Sequence, residues 1–117
     1  MATVNNVLGQ EDTIRHKRGT LFDKTFDVYT QSAGVKTEFP LTDYNGTIRI
    51  KQKVDGTLLY EKTTDDPELT FDNNSVRWLD SIAINKLGDL YFELEIVLKT
   101  NNEERYKPWY GKFQNAL

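Results

Sequence analysis

The chain has 117 residues, of which 38% are apolar, 28% charged and 12% aromatic, and it contains no cysteine. That length holds one domain with a single core, and without cysteine there is no disulfide framework, thiolate metal site or cysteine nucleophile. Fifteen Lys and Arg against 18 Asp and Glu leave a formal charge of −3, which is unlike the basic surplus of a nucleic-acid module. No apolar run approaches the roughly 18 residues of a membrane span. The opening segment, MATVNNVLGQEDT, lacks the positive start and apolar stretch of a secretory signal, so synthesis in the cytoplasm without secretion is expected. Six Phe, six Tyr and two Trp favour pleated, half-buried surfaces, and the composition leans to all-β.

In chain order, residues 1–12 are polar and aperiodic, and are expected to form a flexible arm ahead of one domain over 13–117. A short strand over 14–17 stops at Arg18-Gly19. Over 22–29, Phe22, Lys24, Phe26 and Val28 share one parity, which puts Lys24 on the apolar side and predicts that it sits near a strand end. Ser32-Ala33-Gly34 reads as a turn, and so does Asn45-Gly46. Ile48 and Ile50 point inward in the next strand, and Asp55-Gly56 joins it to 58–62 as a hairpin. Short strands follow at 69–71 and 75–78. Between 79 and 87, Ile82, Ala83 and Leu87 allow at most one short helical turn.

The strongest signal runs over 90–99. Leu90, Phe92, Leu94, Ile96 and Leu98 share one face, and Tyr91, Glu93, Glu95, Val97 and Lys99 the other, which is the pattern of a half-buried strand. A return over 105–113 closes the chain, with Pro108 marking an edge or bulge. About 7–9 short strands at roughly 8–12-residue spacing predict an antiparallel β-sandwich rather than βαβ units.

Catalytic, cofactor and metal residues are not expected. His16, the only histidine, lies between Arg15 and Lys17 and reads as an exposed edge-strand residue. Asp65, Asp66, Glu68 and Asp72 are densely acidic, but Pro67 and the lack of a turn glycine depart from a calcium loop, leaving a solvated loop. Glu93 and Glu95 lie on one strand face about 7 Å apart. A glycosidase needs two such carboxylates in different environments, and the sequence shows nothing that would desolvate one of them, so they read as charges on a wet sheet face. Trp109, Tyr110, Tyr91 and Trp78 are the partner-binding candidates, because Trp and Tyr anchor interfaces as readily as they fill small cores.

The order of landmarks carries a resemblance. Lys17-Arg18-Gly19-Thr20 leads into a strand, and Gly34 follows at a hairpin. Then come Phe39-Pro40-Leu41-Thr42-Asp43-Tyr44 and Ile48-Arg49-Ile50-Lys51. Leu87-Gly88-Asp89-Leu90-Tyr91-Phe92-Glu93-Leu94 enters a strand, with Arg105 and Tyr110-Gly111-Lys112-Phe113 behind it. Over 15–114 this resembles the small immunoglobulin-like β-sandwich of tailed-phage structural proteins, of the baseplate upper protein N-terminal-domain type. Thr20 follows Gly19 without the acidic residue usual in that pattern. The resemblance implies a non-enzymatic virion structural protein, working as a docking module in the tail, baseplate or a head or neck appendage. Its partners would be other virion proteins and further copies of itself in a homo-oligomer or symmetric assembly, with no nucleic acid and no membrane. The alternative is a carbohydrate- or cell-surface-binding module, with Trp109, Tyr110 and Tyr91 stacking on a glycan.

Overall fold

The computed structural model describes residues 6–117. Ten strands follow one another: β1 (Gln10–Lys17), β2 (Leu21–Asp27), β3 (Tyr29–Ser32), β4 (Val35–Glu38), β5 (Tyr44–Lys51), β6 (Leu58–Thr63), β7 (Leu69–Asp72), β8 (Ser75–Ser81), β9 (Gly88–Leu98) and β10 (Asn101–Ala116). They form a five-stranded sheet in the order β1-β10-β9-β5-β6, a three-stranded sheet β2-β8-β7 and a two-stranded sheet β3-β4. The architecture is all-β, and the two larger sheets face each other as a sandwich.

Period-two alternation builds that sandwich. From the larger sheet, Ile14, Ile48, Ile50, Leu90, Phe92, Leu94, Ile96 and Phe113 point inward; Phe26, Leu69, Val76 and Trp78 meet them from the smaller one. Phe26 stacks on Phe92 with ring centroids 5.9 Å apart, and Trp78 packs on Phe113 at 6.1 Å. Each fully buried apolar side chain of this kind contributes about 1.5–3 kcal/mol relative to exposure.

Several expectations are corrected. The described residues form ten strands rather than about 7–9. The segment over 22–29 breaks after Asp27, where buried Val28 donates to Asn74 O at 2.8 Å and accepts from Phe39 N at 3.1 Å. The sandwich is antiparallel with one parallel ladder, that of β1 on β10. Within the expected limit of at most one short helical turn over 79–87, none forms: Leu79, Asp80 and Ser81 continue β8 against Asp23, Phe22 and Leu21, and Ile82 and Ile84 are buried while Ala83 is exposed. Of the arm expected over 1–12, Gln10, Glu11 and Asp12 belong to β1 and Val7 bridges Thr30; residues 1–5 lie outside the described residues. Lys24 is in mid-strand opposite Trp78; its Nζ reaches out between the sheets to Asp12 Oδ2 at 2.8 Å. Asn45-Gly46 is not a turn but part of β5, where a side chain on Gly46 would overlap the ring of Phe71.

β10 is irregular where Pro108 predicted it. Tyr106 pairs with Ile96 and Trp109 with Leu94, so the strand carries one residue more than its partner across this step. Such a bulge reverses the alternation. Both Tyr106 and Trp109 consequently pack on the core, while Tyr110 passes to the outer face opposite Glu93.

Candidate functional site

The outer face of the five-stranded sheet gathers the polar half of its alternating strands. β6 supplies Glu61, β5 Arg49 and Lys51, β9 Tyr91, Glu93 and Glu95, and β10 Arg105, Lys107 and Tyr110. Arg49 stands opposite both Glu61 and Glu93, and its Nε donates to Glu61 Oε2 at 2.8 Å. Its Nη1 lies 3.2 Å from Glu95 Oε1 and 3.4 Å from Glu93 Oε2. Lys51 Nζ donates to Glu93 Oε1 at 3.1 Å, Lys107 Nζ approaches Glu93 Oε2 at 3.4 Å, and Arg105 Nη1 approaches Glu95 Oε1 at 3.4 Å.

Four cations thus pair with three carboxylates. Their aliphatic stems shut out water, leaving Glu93 only 2% exposed. Burial by itself pushes the Glu93 carboxyl up, but the Lys51 hydrogen bond and the charges of Lys107 and Lys51 outweigh it, so the group titrates below the usual carboxylate range. The expectation that Glu93 and Glu95 sit on a wet face is corrected: their parity is outward, yet both are buried, because flanking strands lay long basic side chains over them. A glycosidase general acid needs a raised pKa, and Glu93 has a lowered one.

Beside this network lies a surface groove of about 760 Å³. Tyr91 and Tyr110 line it, with Glu11 and Asp89 supplying carboxylates and Lys53 and Lys112 supplying cations. Tyr91 pairs with Lys112, and Tyr110 stands two residues along, which makes the two rings diagonal neighbours on one face. Partial burial, then the nearby Glu93 charge, push the Tyr91 hydroxyl above the ordinary tyrosine range, so it is a neutral donor at physiological pH.

The four partner-binding candidates therefore separate. Tyr91 and Tyr110 come together on the outer face, half-buried. Trp78 is corrected to a core residue: it is 0% exposed, and its Nε1 donates to Tyr60 Oη at 3.0 Å. Trp109 lies on the inner face, its ring 5.4 Å from Phe26 and its Nε1 donating to Asp27 O at 2.8 Å. The bulge turned it inward, so the three-ring platform with Tyr91 and Tyr110 does not form.

His16 is also corrected from an exposed residue to a buried one, 5% accessible. It points inward with Ile14, touches Phe113 and Phe22, and its ring nitrogens lie 3.3 Å from Asn115 Oδ1 and 3.2 Å from Thr20 O. The acidic residues over 65–72 act locally: Asp66 Oδ2 accepts from Thr63 N at 2.8 Å, and Glu68 pairs with Lys62 at 3.5 Å. Among the described residues, no three His, Asp or Glu side chains are grouped as a metal site would require. Sequence reasoning missed Arg49, Lys51, Arg105 and Lys107 as a set; the basic outward parity of β5 opposite Glu93 and Glu95 was the available signal.

Compared with known proteins, the chain matches no family model and no curated protein sequence.

Proposed function

We propose that the chain is a non-enzymatic virion structural protein of a tailed phage, a docking and assembly module on an immunoglobulin-like sandwich. Two features of the fold support the finer description. The smaller sheet, β2-β8-β7, follows the B-E-D order of immunoglobulin domains, and β10-β9-β5-β6 follows the G-F-C-C′ order of the variable type. The landmarks of the resemblance also fall at the junctions between strands. Residues 17–20 turn from β1 into β2, residues 39–44 lead into β5, and residues 87–94 open β9.

The observation that carries the reading is the outer face: a Tyr91–Tyr110 groove beside a charge network that is internally paired. Rings with polar tips and satisfied charges suit recognition of another surface. Other virion proteins are the expected partners, and the particle is the expected location. The test is to make particles carrying Tyr91→Ala or Tyr110→Ala and measure incorporation by mass spectrometry. Loss of incorporation with the fold retained supports the reading; absence of the wild-type chain from purified particles overturns it.

A carbohydrate-binding module is the second reading, favoured by the same two rings next to Glu11, Gln52 and Asp89. A glycan-array signal abolished in Tyr91→Ala selects it.

A further inference from the structure

The β3–β4 hairpin is a sheet of its own, and the hydrogen-bond phase of each of its edges can be read. Ser32 pairs with Val35, Thr30 with Thr37 and Tyr29 with Glu38. Phe39 N donates to Val28 O at 3.1 Å, so Val35, Thr37 and Phe39 turn their backbone groups toward β3. Lys36 and Glu38 consequently turn theirs away. On the far side of β3 the edge is covered: Leu8 N donates to Tyr29 O at 2.8 Å, and Gln31 N to Asn6 O at 2.9 Å. Among the described residues, the ribbon thus ends in one open edge, β4.

All four residues of β4 are exposed, Val35 to 64%. The edge is also bounded. The turn at Ala33-Gly34 closes one end. At the other, Pro40 is the next position in phase with Lys36 and Glu38, and it has no N–H to offer. An incoming strand therefore meets two outward residues, one basic and one acidic.

We propose that this edge is a self-association site, pairing antiparallel with the β4 edge of a second copy of the chain about a two-fold axis through Thr37. In that register Lys36 of each copy stands opposite Glu38 of the other. Both are outward-turned positions, so each pair exchanges two N–H···O bonds, and the side chains, on one face, form two reciprocal ion pairs. The two Thr37 residues meet as the non-hydrogen-bonded pair between them. Sliding the axis to Lys36 or to Glu38 would oppose like charges, so charge selects the register. In a single copy, Lys36 Nζ sits 5.5 Å from the Tyr29 ring centroid and Glu38 Oε2 accepts from Asn73 at 3.3 Å; both contacts are at the surface and yield to a partner. The site is separate from the outer-face groove, and it stands or falls independently of the virion reading.

Four backbone hydrogen bonds cover far less than the roughly 1,200–2,000 Å² of a stable interface, so the pairing is weak in isolation and is best read by trapping it. The chain has no cysteine, so Thr37→Cys introduces a lone thiol. Opposed residues of a non-hydrogen-bonded pair have Cα atoms about 4.5 Å apart, within disulfide reach. Under mild oxidation Thr37→Cys should form disulfide dimers about tenfold faster than Thr57→Cys, an exposed loop control, through the raised effective concentration. Adding Lys36→Glu or Glu38→Lys to Thr37→Cys should reduce the rate to that of the control. Mixing those two double variants should restore cross-linking, as heterodimers. Thr37→Cys dimerising no faster than Thr57→Cys overturns the proposal, as does cross-linking that ignores the charge reversals.

Discussion

Gly111 and Asp12 face each other across the β1–β10 ladder with no space for a side chain: a Cβ at 111 would overlap the Asp12 carbonyl. Gly111 also holds φ at 150°, where other residues are strained. Gly111→Ala is therefore expected to lower stability by about 2–4 kcal/mol, combining backbone strain with overpacking. Urea titration measures the loss, and hydrogen exchange should show β1 losing protection before the rest of the sheet.

Glu93 should make stability acid-sensitive. Its folded-state pKa is depressed, so its contribution is fully present above the ordinary value of about 4.3 and is lost as pH falls through the folded one. Glu93→Gln removes the carboxylate facing Arg49, Lys51 and Lys107, and should destabilise by about 1–3 kcal/mol at neutral pH. Chemical unfolding from pH 7 to pH 3 should show the gap between wild type and variant narrowing as the solution becomes acid.

Tyr60 links the buried Trp78 indole to Asp80. Its Oη donates to Asp80 Oδ2 at 2.6 Å and accepts from Trp78 Nε1 at 3.0 Å. Burial, then the Asp80 hydrogen bond, push the hydroxyl far above the ordinary tyrosine range. Tyr60→Phe keeps the ring but leaves the buried indole N–H unpaired, which should cost about 1–3 kcal/mol. Calorimetry would measure it.

Ala33 is a stabilisation site. With φ at 50° it precedes Gly34 at 78°, the two left-handed centres of a type I′ turn, where Asn-Gly is preferred. A left-handed alanine costs roughly 1–2 kcal/mol. Ala33→Asn should recover part of that and raise the melting temperature by a few degrees, with unchanged self-association at β4.

What local pattern can specify was legible. The alternation over 90–99 placed the side chains from Leu90 to Leu98 on their observed faces, Asp55-Gly56 marked the β5–β6 connection, and Pro108 marked the β10 bulge. Burial that depends on distant partners was not legible. His16 is enclosed by Asn115, 99 residues away, and Glu93 is covered from β5 and β10. Asn45-Gly46 looked like a turn because nothing nearby announces that Phe71 needs the space. Trp109 could be assigned a face only once the number of residues in the bulge was known. Tyr91 and Tyr110 share the outer face, and their joint placement follows from pairing between β9 and β10 rather than from either segment alone.

The parallel β1–β10 ladder has a mechanical consequence. Eight register pairs, from Gln10 opposite Trp109 to Lys17 opposite Ala116, join the first and last strands. Because the strands run in the same direction, the start of β1 and the end of β10 lie at opposite ends of the ladder. Tension applied through those two points loads its hydrogen bonds together in shear, rather than peeling them one at a time. The domain is therefore built to resist stretching along the line between its ends, while pulling on the β3–β4 hairpin would unzip only that ribbon.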